Sequence, residues 1–319
     1  MAFMRMMGRD SVAYNQATVL GRADDHAGQS LDYYGTRGET PLVWGGMGAG
    51  RLGLEGRVTP YTYAAVFGEG GATDPVTGRR LVNTTRPGME LVVSPHKSVA
   101  VLGAIGRADD MHAIVDGETA ATLEFLDGWF RERGGRRGRD QVRTATSGLT
   151  WAVTRHGTSR AGDPAVHDHV LVANVVEMLD TKGGWKALDT ASLRDVLHAA
   201  TVVGRLAAAW RAVELGYGIA ADEGRSGRLR GWRVAGVPEE VCDLFSKRSA
   251  EIDDFVDDRA SYRARAVAAR TTRSAKAEQP PDLLAIRWQA ELAGIGWAPD
   301  RLRQSIDAAG PGGPGPVRS

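Results

Sequence analysis

Three of the seven histidines fall between residues 156 and 169, in the stretch Arg155–Asn174 (RHGTSRAGDPAVHDHVLVAN). In a strand, residues two apart point to the same face. His167 and His169 therefore project side by side, with Val166, Asp168 and Val170 turned the other way. His156 closes a preceding β-branched run, Leu149–His156, and the two runs are joined by GTSRAGDPA, whose Gly, Ser, Asp and Pro are turn formers. If the runs pair as a hairpin, three imidazoles meet on one sheet face. Three neutral nitrogens suit a borderline divalent cation and leave positions open for substrate oxygens. Such a cation acts as a Lewis acid on a phosphoryl or carbonyl oxygen.

The remaining nucleophiles are few. The single cysteine, Cys242, lies in VPEEVCDLFSKR, an amphipathic segment where a buried thiol is expected. No serine sits in a Gly-x-Ser-x-Gly elbow. The doublet Tyr33-Tyr34 lies in a short polar segment before glycines, and Tyr14 stands upstream in SVAYNQATVL. The run RERGGRRGRDQVR at 131–143 reads in two ways: as a solvated turn, or as an arginine- and glycine-rich surface that follows a phosphate backbone. GGMGAG at 45–50 lacks the Gly-Lys-Ser/Thr of a phosphate loop and reads as packing turns.

The elements that must carry these residues follow from periodicity. Residues 1–60 are glycine-rich and irregular. Met89–Val93 is strand-like, and Ser94–Lys97 leads into a helix. Helical spacing runs over 109–133, over the Ala/Leu/Arg-rich 190–215 and over 241–269. Pro280 and Pro281 precede a last helical stretch near 282–292. The expected organisation is one domain over 1–270, a helical extension over 271–305, and a Gly/Pro-rich tail at 306–319 that reads as a linker cut short.

The chain has 319 residues, 42% hydrophobic and 25% charged, enough to bury a core and shape a cleft. Its net charge of +1 leaves any nucleic-acid surface to be local. One thiol excludes an internal disulfide and fits a reducing cytoplasm. The N-terminus is too short in apolar residues for a signal segment, and no run approaches a membrane span.

Five blocks together carry a family resemblance: DYY at 32–34, WGGMGAGRLGL at 44–54, RPGMELVVSPHKSV at 86–99, the histidine block at 155–174 and FSKRSAEI at 245–252. In order and spacing they resemble the MobF-type conjugative relaxases, the TrwC relaxase family. The resemblance implies an α/β (α+β) fold with an antiparallel central sheet of the histidine–hydrophobe–histidine endonuclease type and flanking helices. It implies a site in which His156, His167 and His169 hold a divalent metal, Mg²⁺ or Mn²⁺ or another borderline divalent. Glu90 matches the family's acidic partner of a metal-binding histidine, usually an aspartate, and is one methylene longer. The implied nucleophile is Tyr33, with Tyr34 able to substitute and Tyr14 an outsider. The implied substrate is single-stranded origin-of-transfer DNA with a hairpin, with Lys97, Arg136, Arg137, Arg139 and Arg155 as DNA contacts and accessory transfer proteins as partners. The tyrosines precede the histidines, an order that goes with transfer rather than rolling-circle replication. Two other functions stay open: a three-histidine hydrolase using metal-activated water, and a non-catalytic single-strand-binding module.

Overall fold

The computed structural model describes residues 3–7, 40–137, 140–180, 184–223, 227, 229–255, 267–268, 271 and 280–311. Along the chain come β1 (Phe3–Met6), β2 (Val43–Gly45), α1 (Met47–Arg51), α2 (Pro60–Phe67), β3 (Gly88–Val93), α3 (Lys97–Ala104), α4 (Ala108–Trp129), β4 (Glu132–Arg137) and β5 (Asp140–Ala145). Then follow β6 (Trp151–Thr158), β7 (Pro164–Ala173), the short β8 (Val176–Glu177) and β9 (Trp185–Lys186), α5 (Thr190–Glu214), β10 (Ile219–Glu223) and β11 (Leu229–Val234). Four helices complete the order: α6 (Glu239–Leu244), α7 (Lys247–Asp253), α8 (Pro281–Gly294) and α9 (Pro299–Ala308).

The histidine strands are the middle of a five-stranded antiparallel sheet ordered β1-β3-β7-β6-β2. Alternation along β7 sets which layer each residue meets. Val170 and Val172 pack with Met89 and Leu91 of β3 against Leu123 and Leu126 of α4. On the opposite face Leu171 and Ala173 join Ala152, Trp44, Tyr63 and Phe67. That second core covers only one end of its face. The histidine end stays half-buried, which leaves room for a ligand.

Behind the sheet, α4 and α5 lie against each other along small residues. A Cβ on Gly204 would fall 2.0 Å from Thr122 Oγ1 and 2.7 Å from the Glu118 carbonyl. Ala200 and Ala208 are fully buried beside it. The alanine-rich composition of 190–215 is therefore what lets the two helices approach.

Three expectations need correction. The helix over 241–269 is not continuous: α6 stops at Leu244 and α7 starts at Lys247. The break buries Phe245 completely, and the Ser246 hydroxyl bonds back to the Cys242 carbonyl at 2.7 Å. The helix expected to 133 ends at Trp129, and the arginine run at 131–143 is not a simple turn. It is a two-stranded ribbon in which Glu132–Arg137 pairs with Asp140–Ala145, the strands separated by two residues, as a tight hairpin allows. Finally, helix α9 runs past the expected start of the tail to Ala308. Leu292, Leu302 and Ile306 sit in the same core as Val166, Ile114 and Phe245, so the C-terminal helices share the core of the sheet domain.

This sharing has a measurable cost. Leu302→Ala should destabilise the protein by about 2–5 kcal/mol, the usual range for a buried leucine truncation, read as a lowered urea midpoint. A change no larger than that of a surface substitution would show that α9 is merely appended.

Candidate metal centre

His156 and His167 are direct register partners on β6 and β7, and His169 stands opposite Thr154. The register shifts immediately beyond: Thr158 pairs Pro164, so Ala165 and Val166 oppose Gly157 alone. This β-bulge bends β7 beside His167 and re-aims its side chain. The three rings lie 4.5–5.3 Å apart between centroids. One ligand atom from each lies within 4.8 Å of the others. All three rings are half-buried.

The neighbouring strand supplies the support. Glu90 of β3 is 2% exposed and reaches across to His169, its Oε1 2.5 Å from Nδ1. The extra methylene relative to aspartate does not prevent contact. The second carboxylate oxygen takes the Arg5 guanidinium from β1, directly opposite Glu90 in register. Burial by itself would raise the Glu90 carboxyl. The hydrogen bond and charge of His169, together with Arg5, outweigh it and hold the group below its ordinary value. Glu90 is thus a carboxylate and can only accept, so His169 Nδ1 carries the proton. By the same logic His167 Nδ1, 2.6 Å from the Ala165 carbonyl, is the donor. With Nδ1 donating, the neutral form of each ring has its free lone pair on Nε2, the nitrogen that ligates a cation. The donor chemistry and spread therefore fit a divalent metal bound by three imidazoles, with Glu90 orienting one of them.

The reverse face decides the fate of Arg155. It is not on the histidine face. Its Nε and Nη2 bond the Asp168 carboxylate at 2.7 and 2.8 Å, Nη2 also pairs with Asp116 at 2.8 Å, and its side chain is 12% exposed. Thr119 adds a third bond to Asp168, at 2.6 Å. The alternation that brings His167 and His169 together sends Asp168 and its register partner Arg155 toward α4. A DNA-contact role for Arg155 is withdrawn. Lys97 is likewise occupied: it opens α3, and its ammonium donates to the Pro164 carbonyl at 2.9 Å. Burial pushes that ammonium below its usual value, with Asp163 opposing. Arg136 and Arg137 occupy the last two paired positions of the β4–β5 ribbon. Arg139 lies outside the described residues, as do Tyr14, Tyr33 and Tyr34.

Sequence reasoning missed Arg5 and the Asp168 network. The alternation HDH already placed Asp168 on the helix-facing side, where a carboxylate requires a cation, and Arg155 was the nearest. Arg5 carried no local signal, since its role depends on β1 pairing with β3. His96 caps α3: its Nδ1 accepts the Ser98 N–H at 3.1 Å.

Residues 9–295 match the family described as TrwC relaxase. The chain belongs to the TrwC relaxase family. It is 30% identical over 321 residues to the multifunctional conjugation protein TraI of Escherichia coli. The alignment covers 93% of this chain but 17% of that relative, so the chain spans a small part of the relative's length. Among solved structures, the fold matches conjugative relaxase TrwC in complex with oriT DNA in its metal-bound form. The TM-score is 0.75 at 23% identity, over 94% of this chain and 100% of the other. It also matches TrwC complexed with a 27-mer DNA comprising the recognition hairpin and the cleavage site, at TM-score 0.73 and 21% identity, over 94% and 100% of the two chains. At those identities the likeness establishes the fold, and the sheet order and flanking helices agree with the α+β relaxase fold expected from the motifs. Among the described residues no helix is long and apolar enough to cross a membrane.

Two outcomes follow for this TrwC-family site. Glu90→Ala should weaken Mn²⁺ binding about 10–100-fold, the usual effect of losing a residue that orients a ligand, and titration calorimetry reads it directly; unchanged affinity would reduce Glu90 to a packing role. Arg155→Met should cost about 3–5 kcal/mol of stability by leaving Asp168 buried and uncompensated, without altering the salt dependence of DNA affinity. Normal stability with a flattened salt dependence would return Arg155 to the DNA surface.

Proposed function

We propose that this chain is a DNA relaxase: it cuts one strand of origin-of-transfer DNA with a tyrosine and remains joined to the 5′ end. The observation that carries the proposal is the convergence of His156, His167 and His169 on one half-open sheet face, with Glu90 and Ala165 fixing two of the rings. Family membership and the resemblance to DNA-bound TrwC support it. When bound, a divalent cation, Mg²⁺ or Mn²⁺ with another borderline divalent able to substitute, supplies Lewis-acid neutralisation of a phosphate oxygen. The protein's own residues supply the rest. Glu90 holds His169 and is itself held by Arg5, so the imidazoles are oriented before substrate arrives. The tyrosine oxygen attacks the phosphorus in line, the phenol proton is lost, and the 3′ oxygen leaves and takes up a proton. The bond made resembles the bond broken, so the strand can be rejoined by the reverse step.

Connectivity favours Tyr33 and Tyr34 as nucleophiles. Thr40 is held next to His156: its N–H donates to the Arg155 carbonyl at 2.9 Å, and its hydroxyl oxygen accepts the Arg155 N–H at 2.8 Å. Tyr34 stands six positions before Thr40, a span of at most about 22 Å. A phenol near its ordinary pKa of about 10 is a weak nucleophile at neutral pH and needs a cationic centre, which lies within that reach of the chain. The β4–β5 ribbon, with Arg136 and Arg137 at its last paired positions, is proposed to follow the phosphate backbone together with Arg139. The setting is the cytoplasm, with accessory transfer proteins as partners.

The deciding experiment incubates the protein with origin-spanning oligonucleotides and resolves the products on denaturing gels. Wild type should give a covalent adduct on the 5′ side and a free 3′-hydroxyl, lost on chelation and restored by Mn²⁺. Tyr33→Phe should remove most of the adduct and Tyr33→Phe/Tyr34→Phe all of it. A normal adduct from the double variant would move the nucleophile to Tyr14, and nicking with no adduct at all would favour the water-activating hydrolase. Replacing Arg136, Arg137 and Arg139 by Ala should weaken DNA binding and lower the salt slope by about 0.7–0.9 per lost phosphate contact. An unchanged slope would leave the ribbon solvated and unused.

A further inference from the structure

The turn joining β6 to β7 is held from three helices, more firmly than a plain hairpin tip requires. Asp163 is fully buried, at 0% exposure. Its own N–H donates to Ser159 Oγ at 3.1 Å. Its Oδ2 accepts the backbone N–H of Lys247 at 3.1 Å, where α7 begins. Oδ1 makes no hydrogen bond, yet it lies 3.2 Å from the Lys247 ammonium, an ion-pair distance without hydrogen-bond alignment. From α3, Lys97 donates to the Pro164 carbonyl at 2.9 Å. From α8, Arg287 and Trp288 donate to the Gly162 carbonyl at 2.6 and 2.8 Å.

A buried carboxylate is costly unless paired, and a turn can be tied by neutral groups alone. The position of Asp163 gives that cost a purpose. Between it and His167 lies the bulge of Ala165 and Val166, and His167 is hydrogen-bonded to the first of these. A bulged strand leaves its neighbour at an angle set by how its end is anchored. Pro164 and Asp163 are that end, and His167 sits three residues from the anchor.

We propose that Asp163 is a positioning residue of the metal centre: with Lys247 and Lys97 it holds the bulge that aims His167 at His156 and His169. Asp163 is not itself a ligand, since the ligand cluster among the described residues contains the three histidines alone. The proposal rests on the three-histidine metal reading. It accounts for three separated sequence blocks meeting at one point: Lys97 from SPHKSV, Asp163 from the histidine block and Lys247 from FSKR.

The test titrates metal-free protein with Mn²⁺ and follows the free and bound ion by electron paramagnetic resonance. Wild type, Asp163→Asn, Lys97→Met and Ile306→Val are compared, the last a mild core change in α9 that removes none of the polar ties to the turn. Melting of the metal-free proteins is recorded beside it. Asp163→Asn and Lys97→Met should weaken Mn²⁺ binding about 10–100-fold and change the bound spectrum, with metal-free affinity for single-stranded DNA unchanged. Ile306→Val should melt lower and bind Mn²⁺ as wild type does. Wild-type affinity and spectrum in both hairpin variants would overturn the proposal, as would an equal loss of affinity in Ile306→Val. If Asp163→Asn does not fold, Lys97→Met, which removes a single bond to the turn, decides on the same criteria. Failure of wild type itself to bind Mn²⁺ strikes at the metal reading instead.

Discussion

The structure depends on one register: His156 opposite His167, with the bulge immediately beyond. Because side chains alternate along a strand, a slip of one residue would turn His167 and His169 into the helix layer and push Asp168 and Val170 out of it. The two faces of β7 therefore enforce each other. Val170 and Val172 need the apolar contacts of α4, Asp168 needs Arg155 and Thr119, and only the observed pairing meets both needs while presenting the imidazoles.

Charge is distributed across the sheet in the same spirit. On the histidine face the chain Arg5, Glu90, His169 crosses three adjacent strands, β1, β3 and β7. Each group is partnered by the next, so a carboxylate at 2% exposure is tolerated and an imidazole is held in one tautomer. On the helix face Arg155 bridges Asp168 to Asp116 of α4, tying strand to helix behind the site. At low local dielectric such pairs are strong when complete and costly when broken. Rigidity at the metal centre is therefore obtained from polar groups on both faces of one strand, while the apolar cores fix the layers.

Much of this was legible in the sequence. The HDH alternation, the turn chemistry of GTSRAGDPA and the β-branched runs contain the hairpin and its metal face in local periodicity. The long helices expected over 109–133 and 190–215 were equally plain from spacing and are found as Ala108–Trp129 and Thr190–Glu214. What local pattern could not carry were the long-range pairings. Lys97 read as a free cation because its partner, the Pro164 carbonyl, becomes a neighbour only after the sheet and helices assemble; the Asp116 contact of Arg155 likewise forms only then. The arginine run read as a solvated turn or a backbone-following surface because its glycines hide the pairing of Glu132–Arg137 with Asp140–Ala145. The break at Phe245-Ser246 had no proline or glycine to mark it, and its cause, the fit of Phe245 into the core and of the Lys247 N–H onto Asp163, lies in another part of the fold. The tyrosines were found through order and spacing of motifs, and their placement is not among the described residues.

The metal centre requires that the three histidines share one cation through their outward nitrogens. Anomalous diffraction from crystals grown with Mn²⁺ measures this directly. A single strong peak should lie within bonding distance, about 2.0–2.2 Å by analogy with other first-row metal–imidazole bonds, of Nε2 of His167 and His169 and of one nitrogen of His156. The Nδ1 atoms of His167 and His169 should remain on Ala165 and Glu90. A peak elsewhere, or a cation bound through either of those Nδ1 atoms with Glu90 displaced, would contradict it.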